Sequence, residues 1–189
     1  MKSINKTLTA IIITAISFNF FGCSQSQQET SGHDEHQDEV AISEENAGVL
    51  ESSIPKERSQ NILTAYLEIK DALVKTDGEQ ASLAAGKLIE VLNKSNDELI
   101  EKIRFDAEHI EETKTPKHQR DHFNSLSDNV YKLIKQTQAN DEVIYRQYCP
   151  MAFDNEGAFW LSAEKEVNNP YFGDRMLHCG SVKETLTTL

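Results

Sequence analysis

From Pro55 onward, apolar residues recur at steps of three and four in four successive stretches, and a chain patterned this way buries its stripes by laying helices against one another. Ile62, Leu63, Tyr66, Ile69, Leu73 and Val74 mark the first stripe, which Asp77-Gly78 is expected to stop. Ala81, Ala84, Ala85, Leu88 and Leu92 mark the second, whose small residues, Gly86 included, would let a neighbouring helix approach closely. The third opens on Ser95 with Glu98 three places on, a capping-box spacing, and continues through Leu99, Ile103, Ala107 and Ile110. Thr115-Pro116 opens the fourth, with Thr as cap and Pro where a missing N–H costs nothing, ahead of Phe123, Leu126, Val130, Leu133, Ile134 and Thr137. Brief connections put successive helices side by side, so the fold class expected is all-α: an antiparallel up-and-down four-helix bundle.

The chain changes character after Asp141. Alternation from Val143 to Cys149, a turn at Asp154-Asn155-Glu156-Gly157 and a second run from Ala158 to Ser162 predict a hairpin, a short β-rich C-terminal tail that must pack on the bundle to be stable. Tyr145, Tyr148, Phe153, Phe159, Trp160, Tyr171 and Phe172 crowd into this tail, and most are expected to fill core.

The N-terminal end has a different constraint. Lys2 and Lys6 precede the apolar run from Leu8 to Phe21, which is too short and too interrupted to span a membrane as a mature helix, so residues 1–22 read as an export signal. Phe20-Phe21-Gly22-Cys23 resembles a bacterial lipobox, with Phe where Leu is usual, and implies acylation of Cys23 and a membrane anchor through that lipid. Residues 23–54 are rich in Ser, Gln, Glu and Asp and read as a flexible acidic tether with a reach of about 30 Å. Its His33-Asp34-Glu35-His36 could hold a divalent ion loosely, although a solvated acidic run explains it as well. Residues 55–189 then form one domain, the bundle with its Cys- and Met-bearing tail.

Charge excludes one class of partner. The net charge is −12, and without Lys2 and Lys6 17 basic residues face 31 acidic ones, so phosphate backbones are repelled and no nucleic-acid binding is expected. No G-x-S-x-G, phosphate-binding glycine loop or paired apolar carboxylates occur, and no enzyme activity is expected.

Chemistry concentrates at the two ends of the tail. Cys149-Pro150-Met151 and Met176-Leu177-His178-Cys179 supply two thiols, two thioethers and an imidazole, a soft donor set that favours Cu(I) over hard ions. Trp160 offers a ring face to a bound cation. In an oxidising compartment the same two cysteines can instead close a structural disulfide, leaving the methionines as gap-fillers, and the sequence alone leaves both readings open. His118 and His122, four apart, share a helix face with His109 nearby, an arrangement that can chelate Zn or Cu(II) but also fits an exposed polar surface.

The runs Tyr148-Cys-Pro-Met-Ala-Phe153, Gly157-Ala-Phe-Trp-Leu-Ser162, Asn169-Pro-Tyr-Phe-Gly173 and Met176-Leu-His-Cys-Gly180 resemble an uncharacterised bacterial domain. That domain occurs alone in lipoproteins and appended to periplasmic adaptor (membrane-fusion) subunits of heavy-metal efflux systems. The likeness runs over about residues 58 to 187 and is strongest in the tail. It implies a role in the cell envelope, facing the periplasm or exterior, in copper or related metal homeostasis beside an efflux adaptor or other envelope protein. Cys149, Met151, Met176 and Cys179 match its motifs, and His178 falls at a variable place. The rival expectation is a non-metal interaction module clamped by a Cys149–Cys179 disulfide.

Overall fold

The computed structural model describes residues 54–187, which are mostly helical with a small three-stranded antiparallel sheet towards the C-terminal end. The export signal, Cys23 and all of the tether but Ile54 lie outside the described residues. Four long helices come first: α1 (Lys56–Val74), α2 (Gly78–Leu92), α3 (Glu98–Glu111) and α4 (Pro116–Thr137). Each packs on the next, and α4 also packs on α1. The connections, 75–77, 93–97 and 112–115, are as brief as the sequence implies.

The stripes are the buried faces, with local adjustments. Ile62, Tyr66, Ile69, Leu73, Leu88, Leu92, Phe123, Leu126, Val130 and Leu133 are all fully buried, while Val74, Leu99 and Thr137 are only half-buried. On α3 the core position is Ile100 rather than Leu99, because Ile100 stands three places before Ile103 and continues the face of Ala107 and Ile110.

The helix ends differ from expectation at three places. Asp77-Gly78 does not stop α1; Thr76, in the left-handed region at φ 57°, does, and Asp77 instead caps α2 by accepting the Gln80 N–H at 3.0 Å. The cap of α3 is Asp97, whose Oδ1 accepts from Leu99 and Ile100, while Ser95 Oγ accepts from the Asp97 N–H, so no capping box forms. Thr115 and Pro116 do open α4, but the Thr115 side chain makes no cap bond.

The glycines of α2 are also unlike in role. A Cβ on Gly78 would stand 2.1 Å from the Lys114 carbonyl oxygen, so this residue is required where α2 meets the α3–α4 connection. A Cβ on Gly86 would meet only Glu111 Cγ, at 3.7 Å, an ordinary contact. The close approach expected at Gly86 is therefore absent, and Gly86→Ala is expected to stabilise the protein by about 0.5–1 kcal/mol, read as a higher urea midpoint at unchanged slope.

The tail forms β1 (Ile144–Cys149), a one-turn α5 (Ala152–Asn155), β2 (Ala158–Ser162), a 3-10 turn (Gly173–Arg175) and β3 (Ser181–Leu186), in the order β2-β1-β3. The predicted hairpin is β1 with β2, from Tyr145 opposite Ser162 to Cys149 opposite Ala158. Its connection is longer than the four-residue turn expected. Phe153, Asp154 and Asn155 all have positive φ before Gly157 at φ 82°, and a Cβ on Gly157 would overlap the Tyr148 hydroxyl. The third strand was not expected at all. It makes β1 the central strand and pairs Tyr148 with Ser181.

The sheet docks on α4 through side chains of both signs. Arg146 lies over the rings of Tyr131 and Phe159, 3.8 and 4.0 Å from their centroids, and Glu184 accepts from Tyr131 Oη at 2.6 Å and Lys135 Nζ at 2.9 Å. The first of these bonds, then Lys135, hold the Glu184 carboxyl below the usual range. Deeper in, Tyr66 stacks on Phe123, Phe123 and Trp160 both meet Tyr171, and the Tyr66 hydroxyl accepts the Leu161 N–H at 3.0 Å. Burial pushes the Tyr66 and Tyr171 hydroxyls well above the usual phenol range. Of the seven tail aromatics, Trp160 and Tyr171 fill core, Phe153 and Phe172 pack against it half-buried, and Tyr145, Tyr148 and Phe159 are half-buried outside it, fewer than expected.

Candidate thiol site

Cys149 is the last residue of β1 and fully buried, and Cys179 lies half-buried just ahead of β3. Pairing of β1 with β3 brings the two ends of the tail together, and the sulfurs stand 3.0 Å apart, both as free cysteines. Between Cys179 and β3, Gly180 has φ 147°, and a Cβ there would come 2.8 Å from the Tyr148 carbonyl oxygen and 3.1 Å from the edge of Trp160. Only glycine lets the chain pass that close to the central strand.

The loop carrying Cys179 is held by buried polar groups. Asn169, fully buried, donates from Nδ2 to the Cys179 carbonyl at 2.8 Å and accepts the Tyr171 N–H on Oδ1 at 2.8 Å, while its backbone N–H donates to Leu177 O at 2.8 Å. Arg120 reaches from α4 to the Pro170 carbonyl at 2.7 Å and to Leu73 O and Thr76 Oγ1 at 3.0 and 2.9 Å. Gln147 on β1 donates to the carbonyls of Glu164, Lys165 and Glu166. Asn169 binds the Cys179 segment directly, while Arg120 and Gln147 tie down the loop ahead of it.

The remaining expected donors are placed less closely. Met151 follows Pro150 and is 47% exposed. Met176 is half-buried after the 3-10 turn, and its carbonyl accepts the Cys179 N–H at 3.0 Å. His178 is exposed and donates from Nδ1 to the Val167 carbonyl at 2.9 Å. Trp160 is fully buried against Tyr171, so its ring serves the core and not a cation as expected. Among the described residues, no three His, Cys, Asp or Glu side chains gather as a metal-ligating group.

The 3.0 Å separation decides what the pair can do. With metal–thiolate bonds of about 2.3 Å, two thiolates on a tetrahedral ion stand ~3.8 Å apart and on a linear two-coordinate ion ~4.6 Å. A disulfide bond is ~2.05 Å. Disulfide closure or a bent metal site needs a shift of about 1 Å or less, whereas a linear site needs the pair to open by more. The hydrogen bond to Cys149, followed by burial, pushes the Cys179 thiol up to about 11, so it carries its proton at neutral pH.

Sequence reasoning named both cysteines but missed Asn169, Gln147 and Arg120. The family model described as a protein of unknown function (DUF3347) matches residues 62–142, and the chain is similar to it from the second turn of α1 to the entrance of β1. The cysteines lie beyond the matched span. No curated protein and no solved structure matches the chain.

Proposed function

We propose that this is an exported bacterial lipoprotein, anchored through Cys23, that binds a soft metal ion, Cu(I) above others, between Cys149 and Cys179. It would pass the ion to, or regulate, a heavy-metal efflux adaptor or another envelope protein. The observation that carries the reading is the meeting of two thiols from distant segments, one of them half-buried, with the exposed Met151 two residues on from Cys149 in the chain. The scaffold would be an antiparallel up-and-down four-helix bundle, which the neighbour order and brief connections of α1 to α4 favour. Binding must displace the thiol protons, so affinity rises with pH towards the Cys179 value.

Titration of the reduced full chain with Cu(I) against a competing chelator tests this. One equivalent is expected to bind, Met151→Leu is expected to weaken it roughly tenfold, in keeping with loss of one donor, and Cys149→Ser with Cys179→Ser to abolish it. Equal binding by that double variant would remove the basis of the reading. The sulfur separation also favours a second reading, a disulfide clamp in a non-metal envelope interaction module. In that case the chain purifies without free thiols and the reduced form takes up no Cu(I).

A further inference from the structure

We propose that the thiol pair exchanges with external disulfides in a fixed order, Cys179 taking the first new bond and Cys149 closing it. This needs only the free pair, so it stands whether or not a metal ion binds there.

The order follows from where each cysteine is fixed. Cys149 ends the central strand, is fully buried, and belongs to the same core cluster as Trp160 and Ala158, the latter its partner on β2. A thiol sealed in apolar packing meets no reagent from solvent while the fold holds. Cys179 lies on the segment between the 3-10 turn and β3 and is only half-buried. Its N–H donates to Met176 O at 3.0 Å and its carbonyl accepts from Asn169 Nδ2 at 2.8 Å, so its backbone is tied on both sides. Of the two, only Cys179 has surface to offer a reagent.

The second step follows from distance. The sulfurs stand 3.0 Å apart, inside the roughly 3–3.5 Å of a near-attack arrangement, where a tethered group acts at effective molarities of about 10⁵ M or more. With a disulfide RSSR, the Cys179 thiolate attacks one sulfur, forms an S–S bond to it and releases RS⁻, which takes up the Cys179 proton. Cys149, as its thiolate, then attacks Cys179 Sγ. The bond to the R–S group breaks, and the second RS⁻ leaves with the Cys149 proton. In sum the two protein thiols are oxidised to one disulfide and RSSR is reduced to two RSH. Cys179 carries its proton at neutral pH, so the exchange is ordered without being fast.

The test uses the reduced full chain carrying Cys23→Ser, which leaves the pair as its only thiols, with oxidised glutathione as the probe. Trypsin cuts after Arg146, Lys165, Arg175 and Lys183, so the two cysteines fall on separate peptides. This parent is expected to lose two hydrogens and to hold no lasting glutathione adduct. Cys149→Ser is expected to stop at one stable adduct on Cys179. Cys179→Ser is expected to react roughly a hundredfold more slowly, because its thiol waits on local opening, and to regain the rate in urea. Limiting N-ethylmaleimide on the parent needs no variant, and its label is expected on the Cys179 peptide. Label on the Cys149 peptide to an equal or greater extent overturns the order, even where Cys179→Ser fails to fold. A lasting adduct on the parent, or equal rates in the two single variants while both are folded by circular dichroism, overturns it too. Cu(I) uptake by the reduced parent is a separate measurement, so failure of the metal reading and failure of this one are told apart.

Discussion

Oxidising Cys149 and Cys179 to a disulfide is expected to raise the thermal midpoint by roughly 10 °C. The bond would close a loop with a sequence separation of 30 residues, for which the chain-entropy estimate is about 3.5 kcal/mol. For a domain of this size each kcal/mol moves the midpoint by about 2–4 °C. The sulfurs already lie 3.0 Å apart, so little distortion of the sheet should offset the gain. Calorimetry with and without reductant, beside intact mass to report the two hydrogens lost, measures it. Cys149→Ser with Cys179→Ser should melt at the reduced value under both conditions. A midpoint that ignores reductant while the mass shifts would show that closure strains the native fold as much as it restricts the unfolded chain.

Asn169→Ala is expected to destabilise the protein by about 2–4 kcal/mol, because it removes two side-chain bonds and leaves a buried N–H and a carbonyl without partners. The two groups are the Tyr171 N–H and the Cys179 carbonyl, each 2.8 Å from the Asn169 amide. Loss of the second frees the segment that holds Cys179, so disulfide formation should slow as well. Asn169→Asp keeps the acceptor for Tyr171 but sets a carboxylate oxygen against the Cys179 carbonyl in a fully buried place, and should cost at least as much stability while also slowing pairing. Urea midpoints and thiol-trapping rates separate the two effects. A change below about 0.5 kcal/mol in Asn169→Ala, within the range of an ordinary surface substitution, would mean that Asn169 does not hold the loop.

Much of the helical part is legible from residue spacing, because burial there follows the turn of the helix and recurs in the sequence. Apart from Val74 and Thr137, the stripes of α1, α2 and α4 fall on core residues, and β2 runs over Ala158–Ser162 as read. Where two similar residues compete, spacing does not choose between them: Leu99 and Ile100 are both apolar, and Ser95 and Asp97 are both good caps. The final strand escaped for a different reason. Burial alternates along Ser181–Leu186, but the inward positions are Val182, Glu184 and Leu186, and the charged Glu184 between them breaks the apolar alternation by which a strand is read. Asn169, Gln147 and Arg120 left no signal either, since a lone polar residue acquires a buried role only when distant carbonyls converge on it. The cysteines were named from their chemistry, but that they touch follows from a strand the sequence did not announce.

That unannounced strand also sets an order of events. Cys149 ends the central strand, but its partner sulfur is delivered only once Ser181–Leu186 lies alongside. A chain emerging amino end first therefore carries an unmatched Cys149 until Ser181–Leu186 has appeared and zipped on. The meeting of the two sulfurs therefore depends on the last strand, and a molecule in which Ser181–Leu186 has not paired holds Cys149 apart from Cys179.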